Sequence, residues 1–324
     1  MKLITFKNKK GQIRTGWLNG QTGVVDMKFA DKRLPTKILA FIDHHEKYFE
    51  IIRENKLENI GPHYHLNEVT LLPPLPNPRS FRDFIGFEQH MINASNSFGH
   101  KVGAVWYEMP IFYFTNHQAV IGHEDEVKRP EKETKLDLET EMAVIIGKKG
   151  KNIKAGEADD YIFGYTVFND WTARAIQKVE MGGPPLGPHK GKDFANAIGP
   201  CIVTKDEFEQ YRCTLGESIF PEHLRKPNIP DTTADRFNVK MSAKINGETI
   251  CEENYNTVYW TFAEQIRRAS ENDVYLMPGD ILGSGTVGWG SLIENNFSIH
   301  RPLAPGDVVE LEIEGIGVLR NKVV

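Results

Sequence analysis

The sequence has little cysteine, no excess of positive charge and no long apolar run. Its three cysteines, Cys201, Cys213 and Cys251, are odd in number and far apart, which favours reduced thiols over a disulfide framework or a zinc site. A net charge of −5 gives no basic surface for nucleic acid. No apolar run approaches the roughly 20 residues of a membrane span, and the first residues lack the apolar core of a signal peptide. We therefore expect a cytoplasmic protein that binds neither nucleic acid nor membranes.

Proline marks the most prominent boundary in the chain. Residues 71–79 contain four prolines, and such a segment is stiff and extended. It separates residues 1–70, predicted to form a small N-terminal domain, from residues 71–324, predicted to form the catalytic domain. Strand patterns outnumber helical patterns in the second part, and no regular alternation of strands and helices runs through it. The predicted fold class is therefore α+β, mainly β.

Two glutamates lie within a segment that has the pattern of a β-strand. Apolar and polar residues alternate through residues 135–147, so Glu139 and Glu141 are predicted to share one face. Two residues along a strand span roughly 6.5–7 Å, and two carboxylates at that distance repel by about 2 kcal/mol at an effective dielectric of about 20. The apolar residues 143–146 that follow indicate burial, where a cation between the carboxylates would relieve the cost.

A third carboxylate ends another predicted strand. Residues 161–168 are rich in aromatic and β-branched side chains, and Asp170 follows them before a helical pattern. Three carboxylates without a nearby cysteine or histidine are typical of sites for Mg²⁺, Mn²⁺ or Ca²⁺. Two simpler interpretations stay open, since the glutamate pair is also typical of a solvated strand face and Asp170 of a helix N-cap.

Four segments together resemble the fumarylacetoacetate hydrolase family. They occur in that family's order, and the resemblance covers roughly residues 72–324. The resemblance implies a mixed β-roll catalytic domain, a homodimer, and a divalent metal held by Glu139, Glu141 and Asp170. The segments are Asp137–Gly147, Gly164–Arg174, Pro278–Thr286 and Pro305–Asn321.

The resemblance also implies a fourth metal ligand and a general base. Asp83 and His90 are seven residues apart, which predicts that they lie on one side of a helix, about two turns apart. By resemblance Asp83 binds the metal, His90 is the base and Glu294 orients it; an ordinary helix histidine is the alternative for His90. Ile85 and Phe87 stand where a substrate-binding tyrosine is expected, so the substrate stays open.

The remaining predicted site residues contact the substrate or its developing charge. The segment Gly191–Phe194 resembles the family's lysine motif and makes Lys192 the electrophilic candidate, with Lys190 as its alternative. The glycine-rich residues 283–290 lack the Gly-Lys-Ser/Thr of a nucleotide-binding loop, but their amides could hold a substrate carboxylate. The other candidates are Arg174 and Gln177 for the oxyanion, and Tyr113, Gly285 and Thr286 for substrate binding. Tyr113 matches a family position that contacts substrate, and a buried structural aromatic is its alternative.

Together with these residues, the family resemblance implies a metal-dependent hydrolase that cleaves a carbon–carbon bond in a β-diketo acid of the fumarylacetoacetate or acylpyruvate type. The metal acts as a Lewis acid, His90 activates water, and Lys192, Gln177 and Arg174 stabilise the oxyanion. One alternative is decarboxylation or tautomerisation of oxaloacetate, or a hydratase or isomerase reaction of the same superfamily. A second is a non-catalytic scaffold stabilised by Ca²⁺.

Overall fold

A computed structural model describes residues 1–97, 99, 101–184, 186–217 and 234–324. Strands occupy more of these residues than helices do, which confirms the predicted class. None of the described helices is both long and apolar enough to cross a bilayer. The strands are β1 (Lys2–Asn8), β2 (Ile13–Asn19), β3 (Gly23–Asp26), β4 (Tyr64–His65), β5 (Val69–Leu72), β6 (Phe81–Phe84), β7 (Phe112–Phe114), β8 (Val120–Ile121), β9 (Glu126–Val127), β10 (Leu136–Asp137), β11 (Thr140–Ile146), β12 (Ile162–Asp170), β13 (Thr172–Ala173), β14 (Asn196–Thr204), β15 (Arg212–Cys213), β16 (Arg236–Phe237), β17 (Lys240–Ile245), β18 (Glu248–Asn254), β19 (Ile281–Gly283), β20 (Val308–Ile313) and β21 (Gly317–Val323).

The helices are short and lie at the edges and faces of the sheets. The α-helices are α1 (Met27–Ala30), α2 (Ile38–Asp43), α3 (His45–Glu54), α4 (Glu88–Ser97), α5 (Ala104–Glu108), α6 (Arg174–Met181), α7 (Lys205–Phe208) and α8 (Phe262–Ala269). Short 3₁₀ helices occur as well, and the one at Leu292–Asn295 carries a predicted site residue, Glu294.

Two open sheets make up most of the fold. Within the described residues, twelve strands form the larger sheet in the order β4-β3-β2-β1-β14-β12-β11-β19-β6-β7, with β5 beside β1 and β8 beside β14. The second sheet has the order β18-β17-β20-β21-β9. Strand β11 lies between β12 and β19 and is buried along its whole length.

Side chains of β11 point alternately to the two faces of the sheet, and both faces are buried. Met142 and Val144 pack into a core that includes residues of the second sheet, such as Leu311. Ala143 and Ile145 point to the other face and pack with the N-terminal helices. Because successive side chains of a strand alternate between faces, a strand with cores on both sides needs an apolar run of the kind the sequence shows.

The first 72 residues join the larger sheet. Strand β1 pairs antiparallel with β14, with Lys2 opposite Val203 and Leu3 opposite Ile202. Residues of α2, such as Phe41, share a core with Phe163 and Ile202 of the larger sheet. The N-terminal segment is therefore fused to the rest through both hydrogen bonds and packing, and the domain boundary at residue 70 stays a prediction.

Two local predictions need correction. The strand predicted over residues 135–147 is broken at Leu138 and Glu139, because β10 pairs with β13 while β11 pairs with β12. Asp83 and His90 do not share a helix: Asp83 lies on β6 and His90 on α4. Residues 81–84 are recruited into the sheet by β19 and β7, and this long-range pairing overrides the helical spacing.

Candidate active site

Four buried carboxylates converge at the centre of the larger sheet. Asp83, Glu139, Glu141 and Asp170 each offer an oxygen atom, and these oxygens all lie within 4.8 Å of one another. None of the four residues is more than 4% exposed. The structure thus brings together all four residues that the sequence predicted to be metal ligands.

A glycine between two strands allows this close approach. Strand β19 lies between β6 and β11, and its Gly283 is opposite Asp83 on one side and Ala143 on the other. A Cβ atom at Gly283 would lie 2.3 Å from Oδ1 of Asp83 and 3.1 Å from Oε2 of Glu141. Any other residue would therefore push the carboxylates apart. The sequence analysis did not single out Gly283, although it belongs to the segment Pro278–Thr286.

Burial and mutual repulsion shift the protonation of this cluster. Burial, followed by the charge of Asp170, raises the pKa of Asp83 well above its ordinary value. Burial, followed by the charge of Asp83, does the same to the pKa of Glu141. Burial opposes ionisation of Glu139 too, but the nearby Lys192 and Arg174 outweigh it and lower the pKa of Glu139. The cluster therefore needs more positive charge than those two side chains supply before all four carboxylates ionise readily.

The donor atoms suit a hard divalent cation. Oδ1 of Asp83 and Oδ1 of Asp170 are buried, and neither accepts a hydrogen bond from the described residues. Buried oxygens normally have a partner, so these two atoms fit the coordination of a cation. An all-oxygen set favours Mg²⁺, Mn²⁺ or Ca²⁺. These residues therefore fit the metal that the sequence predicted.

Lys192 is buried beside the carboxylates. Its Nζ donates hydrogen bonds to Glu139 and to Asp170. Burial alone would lower the pKa of Lys192, but Asp170 and Glu139 raise it above its ordinary value, so the side chain keeps its charge. The alternative, Lys190, is exposed and pairs with Asp193 at 2.7 Å. The position of Lys192 thus supports the choice between the two lysines.

The guanidinium of Arg174 is held by three side chains of the protein. Nε donates to Oδ2 of Asp137 at 2.8 Å, one terminal nitrogen to Oε1 of Glu139 at 2.7 Å, and the other to Oε1 of Gln177 at 3.2 Å. Arg174 is 5% exposed. It therefore orients Gln177 and Glu139 at the wall of the site.

Asp137 was quoted in the sequence but given no role, and the structure shows that it connects two parts of the site. It is fully buried. Besides Arg174, its carboxylate accepts hydrogen bonds from the amides of Leu292 and Ile293 at 2.8 and 3.1 Å. Those amides begin the 3₁₀ helix that carries Glu294. No local pattern could reveal this role, because the partners are distant in sequence.

His90 faces Glu294. Nδ1 of His90 lies 2.9 Å from Oε1 of Glu294, which is an ion-pair distance, although the ring N–H is not aligned as a hydrogen bond. His90 is 8% exposed and lines the cavity described below. The predicted base and its predicted orienting carboxylate are therefore neighbours.

Glu294 is fixed by several donors of its own. Oε1 accepts from the amide and the hydroxyl of Ser291 at 3.1 and 3.0 Å, which forms a capping box. Oε2 accepts from the amide of Trp289 at 2.6 Å and from Nδ2 of Asn93 at 3.0 Å. Asn93 lies one helical turn after His90 on α4, so the histidine and the asparagine meet the same carboxylate. The sequence analysis missed Asn93.

The predicted substrate-binding residues also contact the carboxylates. The hydroxyl of Tyr113 donates to Oδ2 of Asp170 at 2.5 Å. The amide of Gly285 donates to Oε2 of Glu141 at 2.9 Å, and the hydroxyl of Thr286 donates to Oε1 of the same residue at 3.2 Å. Gly285 and Thr286 therefore hold a predicted metal ligand, and their contact with substrate stays a prediction.

A cavity of about 610 Å³ opens onto these groups. Asp170, Gly285 and Glu294 are not part of its lining and act from behind it. The predicted site residues that line it are Asp83, His90, Tyr113, Glu139, Glu141, Arg174, Gln177, Lys192 and Thr286. The cavity thus combines a cation-binding set of carboxylates, a histidine paired with a glutamate, and a buried ammonium.

Comparison with known proteins gives a family match and several relatives. The model of the family "Fumarylacetoacetate (FAA) hydrolase C-terminal" matches residues 79–324. The chain is 28% identical over 293 residues to the fumarylacetoacetase of Arabidopsis thaliana, covering 82% of this chain and 69% of the plant protein. It is 30% identical over 310 residues to the mitochondrial oxaloacetate tautomerase Fahd2a of Rattus norvegicus, covering 93% of this chain and 84% of the rat protein.

A solved structure shows the same fold. The fumarylacetoacetate hydrolase of Exiguobacterium antarcticum superposes with a TM-score of 0.71 at 23% identity, covering 100% of this chain and 99% of the other. The chain spans only part of some curated relatives, such as 61% of human fumarylacetoacetase. The family match nevertheless includes every candidate site residue. The chain belongs to the fumarylacetoacetate hydrolase family.

Proposed function

We propose that the protein is a metal-dependent hydrolase that cleaves a carbon–carbon bond in a β-diketo acid of the fumarylacetoacetate or acylpyruvate type. The observation that carries this proposal is the placement of His90, paired with Glu294, on the same cavity as the four-carboxylate cluster. Hydrolysis of such a bond needs both an electrophilic activator for the dicarbonyl and a base for water, and the residues that would supply them line one cavity.

Asp83, Glu139, Glu141 and Asp170 would hold the metal. A bound Mg²⁺ or Mn²⁺, with Ca²⁺ as a further option, supplies Lewis-acid polarisation of the substrate's oxygens. The protein contributes rigidity to this set, since Glu141 is fixed by Gly285 and Thr286 and Glu139 by Arg174. Carboxylates fixed in this way would hold a cation in one place, so that a substrate bound to it would keep one orientation, as catalysis by proximity requires.

His90 takes a proton from water in this proposal. Its Nδ1 faces Glu294, so Nε2 is the nitrogen left to act as the base. The carboxylate of Glu294 favours the imidazolium that forms when the proton arrives. Because Glu294 is locked by Ser291, Trp289 and Asn93, its carboxylate stays in one position beside the imidazole. General base catalysis of this kind typically contributes about 10²–10⁴-fold.

Lys192 and Gln177 stabilise the oxyanion that forms when hydroxide adds to the carbonyl. Both line the cavity, and Lys192 keeps its positive charge there. Arg174 also lines the cavity, but its guanidinium is already bonded to Asp137 and Glu139, so it supports them by holding Gln177. Cleavage of the carbon–carbon bond then releases an enolate, which takes up a proton.

A second candidate reaction is tautomerisation or decarboxylation of oxaloacetate. The similarity to the rat oxaloacetate tautomerase, over 93% of this chain, favours it. That chemistry uses the carboxylate cluster but depends less on activation of water by His90.

A screen of acylpyruvates, fumarylacetoacetate and oxaloacetate with Mg²⁺ or Mn²⁺ tests the proposal. We expect hydrolysis of at least one β-diketo acid and its loss in excess chelator. Turnover of oxaloacetate alone would favour the second reaction. No turnover of any keto acid by metal-loaded protein would favour a non-catalytic Ca²⁺ scaffold.

We further propose that the protein is a homodimer and is located in the cytoplasm.

A further inference from the structure

One side of the active-site cavity is an apolar wall that leads away from the carboxylate cluster. Strands β6 and β7 pair with each other, so that Asp83 lies opposite Tyr113 and Phe84 lies opposite Phe112. Just beyond the two strands, the amide of Ile85 donates to the carbonyl of Ile111 at 3.2 Å. Two steps along this pair lead from the predicted ligand Asp83 to an isoleucine pair, roughly 7 Å away. All of these residues line the cavity.

Helix α4 supplies the facing side of the same region. Met91 and Ala94 lie three residues apart, on one face of the helix, and both line the cavity. His90 precedes them, so the base and the apolar face belong to one element. The space beyond the reacting centre is therefore bordered by apolar side chains from both a strand pair and a helix.

The wall is backed by a buried aromatic cluster. Ile85, Met91 and Ile111 pack against Trp106 and its aromatic neighbours. The indole N–H of Trp106 donates to the carbonyl of Ile85 at 2.9 Å, and that of Trp260 donates to the carbonyl of Trp106 at 2.9 Å. These contacts and hydrogen bonds fasten the apolar wall to the aromatic cluster.

The cations that line the cavity are mostly committed to other partners. Arg174 is paired with Asp137 and Glu139, and Lys192 with Glu139 and Asp170. Among the described lysines and arginines that line the cavity, Lys178 is the one without such a pair, and its side chain is exposed on α6. A second carboxylate placed against the wall would be desolvated without a partner, which is costly.

We propose that the substrate carries one carboxylate, at the end beside the carboxylate cluster, and an uncharged apolar acyl group that lies along the wall of Ile85, Met91, Ile111 and Phe112. This inference rests on the proposed function and narrows it: the preferred substrates are acylpyruvates with unbranched alkyl chains, and diacids of the fumarylacetoacetate type are poor substrates. Each buried methylene should raise kcat/KM by about fourfold until the wall is covered.

The test compares ligands that differ only in the distal charge. Calorimetry with Mg²⁺ measures the binding of 2-oxohexanoate and of 2-oxoadipate, which have the same number of carbons. We expect the monoacid to bind at least about tenfold more tightly, because the diacid desolvates a second carboxylate. Equal or tighter binding of 2-oxoadipate would overturn the proposal. In parallel, kcat/KM is measured for acylpyruvates of increasing chain length and for analogues that end in a carboxylate.

Substitutions at Met91 test whether the apolar wall causes the preference for the monoacid. Met91→Lys places a cation at the wall and should reduce the monoacid-to-diacid binding ratio at least about tenfold, since it gives the second carboxylate a partner. Met91→Leu should keep the wild-type preference, and Met277→Lys, which adds the same charge at a residue that does not line the cavity, should do so too. An unchanged ratio in Met91→Lys would contradict the assignment of the wall.

Lys178→Met tests the competing explanation, in which Lys178 binds the second carboxylate of a diacid. If the exposed Lys178 receives a second carboxylate, wild type binds 2-oxoadipate well and this variant loses that binding, which overturns the proposal. If the proposal is right, the ratio in Lys178→Met stays within about threefold of wild type, as expected for removal of an exposed charge. Failure to hydrolyse any β-diketo acid would refute the hydrolase function, while the binding ratio would still decide the nature of the wall.

Discussion

Nε of Arg174 donates to Oδ2 of Asp137 at 2.8 Å, and both side chains are buried. This pair joins two halves of the site. On one side Arg174 reaches Glu139, a predicted metal ligand. On the other side Asp137 holds the amides of Leu292 and Ile293, next to the Glu294 that faces His90. The carboxylate cluster and the base are thus tied together by one buried ion pair.

Replacing Asp137 should therefore destabilise the protein strongly. Asp137→Asn leaves the buried guanidinium of Arg174 without one of its charged partners, and breaking a buried pair typically costs about 3–5 kcal/mol. The free energy of unfolding, measured by chemical denaturation with Mg²⁺ present, checks this. Asp193→Asn removes an exposed pair with Lys190 and should cost less than about 1 kcal/mol. A change for Asp137→Asn no larger than that of the control would show that the pair does not support the site.

The carboxylate cluster should bind a divalent metal that activity requires. Excess chelator should abolish activity, and Mg²⁺ or Mn²⁺ should restore it. Gly283→Ala tests the geometry, because its Cβ would lie 2.3 Å from Oδ1 of Asp83; metal affinity, measured by calorimetry, should fall at least about tenfold, as for loss of a ligand's support. Gly156→Ala, where a Cβ meets nothing within 4 Å, is the control. Full activity after verified removal of the metal would refute the prediction.

Metal binding should release protons. Burial and neighbouring carboxylates raise the pKa values of Asp83 and Glu141, so the metal-free fold holds protons that the unfolded chain gives up near the ordinary pKa of about 4. In the pH window between that ordinary pKa and the raised pKa values of the folded state, the stability of the metal-free protein falls as pH rises, since the folded state binds more protons. The metal must displace these protons, so its apparent affinity should rise with pH over the same window.

Calorimetry in buffers of different ionisation enthalpy measures the protons released per metal. We expect a positive number at the acid end of the window that declines towards higher pH. A release of zero, together with an affinity that does not change with pH, would show that both carboxylates are already ionised in the metal-free protein.

The protein should form a homodimer through its catalytic domain. Large apolar side chains are exposed at the end of α6 and after it, including Val179 at 79%, Met181 at 58% and Leu186 at 78%. Contiguous exposed apolar surface often marks an interface. Light scattering at micromolar concentration should give about twice the chain mass of 36.8 kDa. A monomer mass throughout that range would refute the prediction.

The parts of the site that depend on local patterns could be predicted from the sequence. The alternating pattern placed Glu139 and Glu141 close together, although the strand that was predicted to carry both is broken at Glu139, and the end of a strand pattern identified Asp170. The family resemblance added Asp83 and His90 to this set. These residues do meet in the structure.

The parts that depend on distant pairing could not be predicted. The helix proposed to hold both Asp83 and His90 was wrong, because β19, some 200 residues later in the chain, recruits Asp83 into a strand. Asp137 acquired its role through Leu292, which is 155 residues away. Such contacts arise from tertiary packing and leave no periodic signal in the chain.

The central claim is that His90 activates water. His90→Ala should lower kcat for hydrolysis of an acylpyruvate by about 10²–10⁴-fold while the metal content stays at the wild-type level. Glu294→Gln should lower the same rate, because that carboxylate supports the charge on His90. Turnover of oxaloacetate, which needs no attacking water, should suffer less in both variants.

Steady-state kinetics of His90→Ala on an acylpyruvate, with metal content verified in the same preparation, is the most direct test. The account predicts a loss of at least about a hundredfold in kcat. A rate within about threefold of wild type, far below the range of general base catalysis, would contradict it and favour the oxaloacetate reaction.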